Sequence, residues 1–523
     1  MSTSAIITQP TTSGPKLPLD IQLYILKWII KTNKADTRLT PFTKLSTFTT
    51  VSKTWQNVVE RELFRSLTVT LSDLDKFAVY SAKRRHPVKH ILLEIWICPR
   101  YFSETEIDYS KVCFTEATET LLRILSTWSD CRLTLEFGVL SREDSVTPKT
   151  CPEGYHVHSG SNLPRKRLPT AHLRIFECLD ADLQEPSWAE WLDLSGETDE
   201  NAWVELASNL LGYTPLALNV KSLEAGPGTQ LLPRLPAANS SGALELPRVS
   251  CATRLVVRRR YCSNIDPNSF AIILSSLPSL ESFHVERWCY GYLTDELYDQ
   301  KFHESFNLPP SVNDFSFYEE CGTKFHQRYI THSAMGPTPA MRPRSNPKLL
   351  AAFAEAADRI EHIAVSFAFD ACSFFEPELV YKKLKTLALT SKTMISQTDN
   401  SIDELLYSAA KAAKLMPRLE TLEIWYCRSG TAGIFTYCRL GLYNSCVSLK
   451  RTGDLRDFRM STDTEAAWQR VVDDEVAQVS VDYTILSSGQ LSPGAVYAHL
   501  ELKERILHHV SRKEVACGLI TGT

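Results

Sequence analysis

Leu419-Glu420-Thr421-Leu422-Glu423-Ile424 follows the spacing L-x-x-L-x-L, which fits a half-buried strand. The spacing recurs at Leu384–Leu389. Looser copies stand at Ile360–Val365, Val312–Phe317, Leu280–Val285, Val88–Leu93 and Ala252–Val257. Two copies also share their flanks: LPSLESFHVERW from Leu277 and MPRLETLEIWYC from Met416. Counted from Ala252 by first residues, the spacing runs 28, 32, 48, 24 and 35.

Helix signals fall between the copies. Asp266-Pro267 offers an N-cap and a first-turn proline to NSFAIILSSL, and Asn346-Pro347 does the same for KLLAAFAEAADR. Ser401-Ile402-Asp403-Glu404 has the form of a capping box before LLYSAAKAAKLM. Strand copies preceded by helices predict a βα alternation, and the copies resemble a leucine-rich repeat. Regular repeats of that kind run about 20–29 residues, so the array is irregular. The alternative is an α/β domain whose strands share a common spacing. Pro- and Gly-rich stretches at Gly226–Pro247, His332–Pro347 and Thr147–Pro169 are expected to be loops.

Upstream, LPLDIQLYILKWII spans Leu17 to Ile30. Pro18 suits the first helical position, and Asp20 favours the positive end of the helix dipole. At about 100° per residue, Ile21, Tyr24, Ile25, Trp28 and Ile29 form one stripe. Leu19, Leu23, Leu26 and Ile30 form a second, nearly opposite. A helix apolar on both sides needs cover on both. Leu45, Phe48 and Val51 suggest a second helix, and Val51, Trp55, Val58 and Val59 a third. The surplus stripe meets either the rest of the chain or another protein.

Leu17-Pro18 with Asp20, Ile21 and Ile25, Leu45 and Phe48, Val51-Ser52-Lys53-Thr54-Trp55 and Leu63-Phe64 stand in the order of an F-box. The stretch resembles that family, with Asp20 where Glu is commoner and a longer segment at Thr32–Pro41. The resemblance implies three helices docked on a Skp-family adaptor and, through it, a cullin. It implies adaptor contacts at Leu17, Pro18, Leu19, Leu23, Leu26, Val51 and Trp55. It also implies that the repeat region selects a protein target. AAWQRVVDDEVAQVSVDY and AHLELKERILHHV resemble the C-terminal block of a class of filamentous-fungal F-box-like proteins. Trp468, Val471, Val472 and Val476 form a helical stripe, and Leu500, Leu502, Ile506 and Leu507 suggest a further helix. Both are expected to cap the open end of the array.

Composition bounds the function. A length of 523 residues with 43% apolar and 23% charged residues fits a soluble globular chain. A net charge of −4 gives no general pull toward nucleic acid or anionic membrane. The runs Lys83-Arg84-Arg85, Arg165-Lys166-Arg167 and Arg258-Arg259-Arg260 are expected to be solvated. So are Glu319-Glu320, Asp473-Asp474 and His508-His509. MSTSAIITQPTTSGP lacks the features of a signal peptide, and no apolar run is long enough for a membrane span. Fourteen singly scattered cysteines point to reduced thiols and to the cytoplasm or nucleus. Cys151, His156 and His158 have metal-type side chains but no second ligand pair. Phosphate-loop, dinucleotide and nucleophile-elbow signatures are absent. No catalytic residue, metal or cofactor is expected.

Aromatic residues gather at strand ends. Trp96, Trp288, Trp425 and Tyr426 are candidates either for the core or for anchoring a target. The expected organisation is a disordered tail over 1–15, an F-box over 16–67, an irregular leucine-rich-repeat-like βα solenoid over 68–450 and a capping segment over 451–523.

Overall fold

A computed structural model describes residues 18–35, 45–82, 84–97, 109–129, 131–141, 216–218, 245–259, 265–288, 308–320, 347–396, 398–428, 431–441, 444–452, 458–472, 478–486 and 493–516. Cys151, His156, His158, Leu17, Arg165–Arg167 and Asp473-Asp474 lie outside them, as do nearly all of the three long loops. The chain divides into one unit holding the described residues up to Leu67 and another holding those from Thr68 onward.

The first unit contains α1 (Leu19–Ala35), a 3-10 helix (Leu45–Thr50) and α2 (Lys53–Leu63). The middle element is thus 3-10 rather than α. Thr49 and Thr50 hydroxyls bond back to the carbonyls of Ser46 and Thr47, competing with a regular helix there. Ser52 caps α2, its hydroxyl accepting from the Trp55 N–H at 3.2 Å. The Phe48 and Trp55 rings lie 6.1 Å apart.

The second unit is mixed α/β. Twelve strands form a sheet in strict chain order: β1 (Ser66–Thr70), β2 (His90–Ile97), β3 (Leu133–Ser141), β4 (Ala252–Val257), β5 (Ser282–Trp288), β6 (Asp314–Glu320), β7 (His362–Ser366), β8 (Thr386–Thr390), β9 (Thr421–Arg428), β10 (Thr431–Arg439), β11 (Asn444–Thr452) and β12 (Gln478–Leu486). From β2 to β9 every neighbour is parallel. β9, β10 and β11 form an antiparallel meander, and β12 adds in parallel at the edge. The sheet therefore continues past residue 450, where a domain boundary was expected.

Among the described residues, helices occupy six of the connections: α3 (Leu74–Ser81), α4 (Tyr109–Ser126), α5 (Pro267–Ser275), α6 (Pro347–Ala356), α7 (Ala371–Phe375) and α8 (Asp399–Lys414). Alternation along each strand divides the sheet into two faces. On one, Leu135, Leu255, Phe283, Phe315, Ile363, Leu387 and Leu422 align across seven strands, all fully buried. Helices cover this face. Phe270 of α5 meets Phe283 edge-on at 5.7 Å, and Phe353 of α6 meets Phe315 at 5.1 Å. Each such side chain contributes about 1.5–3 kcal/mol.

The predicted cap of α5 is present: the Asp266 carboxylate accepts from the Asn268 N–H at 3.0 Å. The predicted box of α8 is not. The helix begins at Asp399, which puts Ser401 inside its first turn. Asp403 accepts instead from the Ser461 N–H and the hydroxyls of Ser461 and Thr464, at the start of α9 (Thr462–Gln469). Trp468 of α9 then packs on Phe435 and Tyr437 at 5.0 and 5.3 Å. Gly433 in β10 allows a close approach: a Cβ there would stand 2.3 Å from the Met394 carbonyl oxygen.

Several groups expected in water are inside. Arg258 and Arg259 are buried, and Arg258 pairs with buried Glu136, which also bonds His90 at 2.7 Å. Glu319 is buried against Arg287, whose Nε donates to it at 2.6 Å. Pairing across neighbouring strands offsets the cost of removing these charges from water.

Candidate functional site

The second sheet face is polar or small in residue type. Its rows include Val256, His284, Ser316, Ala364, Ala388 and Glu423, and beside them Glu286, Tyr318, Ser366, Thr390 and Trp425. The chain's own C-terminal segment covers the part from β5 to β9. That strap holds α10 (Pro493–Ala498), α11 (Lys503–Ile506) and α12 (His509–Ala516). It was expected to cap the sheet's open end. β12 takes the edge position, and the strap crosses the face instead.

Three carboxylates fasten it. Glu423 of β9 accepts the N–H groups of Glu501 and Leu502 at 2.9 and 3.1 Å, and the Thr436 hydroxyl at 3.3 Å. Asp314 of β6 accepts from the Arg505 guanidinium at 3.2 Å, while Ser316 donates to the Arg505 carbonyl at 2.7 Å. Glu286 of β5 accepts the His508 N–H at 2.6 Å and the Ser511 hydroxyl. On the sheet side it accepts the Arg259 N–H at 3.0 Å and lies 2.8 Å from His284 Nε2. Between these anchors Tyr497, Leu500, Leu502, Ile506 and Leu507 pack on Tyr318, Ala364, Ala388 and Trp425. Tyr497 donates to the Tyr318 hydroxyl at 2.8 Å.

The anchors differ in charge state. Burial, reinforced by the nearby Glu501 charge, pushes Glu423 up to about 7 despite its N–H donors. Burial acts in the same direction on Glu286, but bonds from His284, Ser511 and the Arg259 N–H outweigh it and hold that carboxyl at about 2. Burial and the Arg258 charge push His508 down to about 3, so its ring is neutral. His508 of the strap is half-buried, its ring 6.4 Å from that of His284 on the sheet, while His509 is exposed.

An aromatic cluster closes the C-terminal ends of β6 to β9. Phe367 adopts φ 66°, a left-handed conformation costly for a ring-bearing residue. Its N–H donates to Thr390 at 2.7 Å, and its ring meets Trp425, Tyr318 and Tyr426 at 5.3, 5.6 and 5.8 Å. Trp425 is fully buried, and Tyr497 of the strap stands 5.2 Å away. As a candidate anchor, Trp425 is therefore already in use by the chain itself. Tyr426 is half-buried. Trp96 and Trp288 lie on β2 and β5, with side chains outside the described residues. Phe367 went unnoticed in the sequence, where no signal marks a phenylalanine for positive φ.

The Ser511 hydroxyl is aimed at a carboxylate rather than at an imidazole base. Among the described residues no group of three metal-ligating side chains converges, and no helix is long and apolar enough to cross a membrane.

The N-terminal helices present a different surface. Ile21, Tyr24 and Trp28 are 42, 72 and 61% exposed and share one side of α1. Leu19 is 56% and Val51 59% exposed, and Pro18 is exposed as well. Leu26 is fully buried, while Leu23, Ile25, Ile29 and Trp55 are half-buried. The expected contacts at Leu23 and Leu26 thus sit on the covered side. The more exposed side of the helix is the one that carries Ile21, Tyr24 and Trp28.

Residues 307–508 match the model of a family of unknown function, DUF6546. The match runs from just before β6 to His508 of the strap. No curated protein and no solved structure matches the chain.

Proposed function

We propose that this chain is the substrate-recognition subunit of a Skp–cullin–F-box E3 ubiquitin ligase, working in the cytoplasm or nucleus. In this reading the helices up to Leu67 form an F-box that docks a Skp-family adaptor, which bridges to a cullin. The second unit is then an irregular leucine-rich-repeat-like solenoid whose polar face selects a protein target. The chain performs no chemistry itself; it holds the target near the ubiquitin-carrying enzyme and so raises its effective concentration.

The carrying observation is the solvent-exposed row Ile21, Tyr24 and Trp28, with Leu19 and Val51 also exposed. Tyr and Trp exposed together on a helix are the residue types that dominate protein interfaces. The parallel strands in chain order support the repeat reading. The adaptor contacts are accordingly Pro18, Leu19, Ile21, Tyr24, Trp28 and Val51, with Leu23 and Leu26 beneath them as support.

Tyr24→Ala with Trp28→Ala tests the interface. Both residues are exposed, so the fold survives, and the full chain no longer co-purifies with the adaptor. Undiminished recovery of the adaptor would refute the interface. A non-catalytic repeat scaffold unrelated to ubiquitin is the second reading. It is favoured by full burial of Leu26, which shows that part of the apolar surface of α1 is covered within the chain.

A further inference from the structure

We propose that residues 493–516 are a tethered, displaceable ligand of the polar sheet face, and that this face takes from its partner a protein segment of the same chemistry. That segment carries an arginine among aliphatic residues and offers backbone N–H groups. The inference rests on the reading of this face as the target-binding surface and adds what that surface recognises.

The strap is held as a bound peptide is held. Glu423 and Glu286 take backbone N–H groups, which any sequence can supply. Asp314 takes the guanidinium of Arg505, which selects a basic residue at one position. Leu502, Ile506 and Leu507 fill the floor over Ala364 and Ala388, whose small side chains leave room for them. Acceptors for the main chain give affinity, and spaced side-chain sites give specificity.

The fit is incomplete. Ser366 Oγ and Trp425 Nε1 are buried on this face, yet neither has a hydrogen-bond partner among the described residues. A buried polar atom without a partner is costly. A segment that satisfies both therefore competes favourably with the strap. The φ of 66° at Phe367, which sets the ring beside Trp425, places backbone strain at the same end of the face.

The test uses the full chain and, as probe, a labelled synthetic peptide of residues 493–516, followed by fluorescence anisotropy. Leu507→Ala and the milder Ser511→Ala, made in the protein and not in the peptide, loosen the tethered copy. Affinity for the peptide is expected to rise about tenfold or more, because the competent open state becomes more populated. A peptide carrying Arg505→Glu is expected not to bind. Equal binding by that peptide, or no binding to either variant, would overturn the proposal.

Hydrogen exchange on the unaltered chain decides the matter without any variant. Strap amides opening well before those of β5 to β9 support displacement, and exchange only together with those strands contradicts it. The adaptor interface is scored separately with Tyr24→Ala and Trp28→Ala. Undiminished adaptor recovery beside the expected peptide binding shows that the adaptor interface has failed; loss of adaptor recovery with no peptide binding to either strap variant shows that the strap proposal has failed.

Discussion

The two units treat their surfaces in opposite ways. Six of the eleven large apolar residues exposed among the described residues lie in the first unit: Leu19, Ile21, Tyr24, Trp28, Val51 and Leu63. The other five, Val79, Tyr80, Val380, Leu440 and Ile485, are spread over the much longer second unit. There helices cover the apolar sheet face, and the chain's own tail covers much of the polar one. In the first unit the side of α1 that carries Ile21, Tyr24 and Trp28 is exposed to solvent. A large sheet has length to spare and supplies an occupant in cis. Under the proposed function the first unit takes its partner from outside, whereas under the proposal for the strap the second releases its own segment before it accepts another.

The contrast breaks most sharply at the buried ion pair. Arg287→Ala removes a guanidinium bonded to the buried Glu319 carboxylate and should cost about 3–5 kcal/mol. Chemical denaturation of the sheet unit reads this directly. Arg287→Met combined with Glu319→Leu should recover most of the loss. If the single change proved neutral, the pair would be solvated after all. Adaptor binding should be unaffected by either variant, since it belongs to the other unit.

A smaller effect sharpens the account of the strap. Ser511→Ala removes a hydroxyl bonded to the buried Glu286 carboxylate and should ease strap opening by about 1.5–3 kcal/mol. The measurement is native-state hydrogen exchange across 493–516, and unchanged exchange would contradict the anchoring role.

The smallest effect depends on pH and has opposite sign at the two ends of the strap. Glu423 is raised toward 7 in the closed state and has an ordinary carboxyl value once exposed. Closure there is favoured at low pH and weakens as pH rises from about 4.5 to 7. Glu286 is depressed to about 2, so its contribution is present above its exposed value of about 4.5 and is lost as pH falls toward 2. His508, depressed to about 3, acts in the same direction as pH falls below about 6.5. After correction for intrinsic exchange, the Glu501 and Leu502 amides should lose protection as pH rises, and the His508 amide as it falls. A common trend at all three would contradict independent anchors.

What the sequence made legible follows the apolar face. The seven L-x-x-L-x-L copies fall on β2 and β4 to β9, because burial against helices dictates which positions must be aliphatic. The cap at Asp266 was readable because it involves only adjacent residues. β3 lacks that spacing although it is as buried as its neighbours. β10 to β12 lack it as well, since antiparallel and edge strands need not carry the repeat spacing. The polar face was illegible for a physical reason. Glu286, Glu319 and Glu423 look like solvated charges until residues as far as 225 positions away supply donors to them. Local propensity says nothing about such partners. The capping box at Ser401 is absent because the helix already begins at Asp399, two residues earlier than the local pattern suggests. On α1 both stripes were visible, but only packing shows that the side with Leu26 is the covered one.

The most direct test of the account is a calorimetric titration of the full chain with a purified Skp-family adaptor, run beside the Tyr24→Ala, Trp28→Ala variant. The account predicts saturable, equimolar binding by the unaltered chain and none by the variant. No heat of binding from the unaltered chain, or equal binding by both, would contradict it.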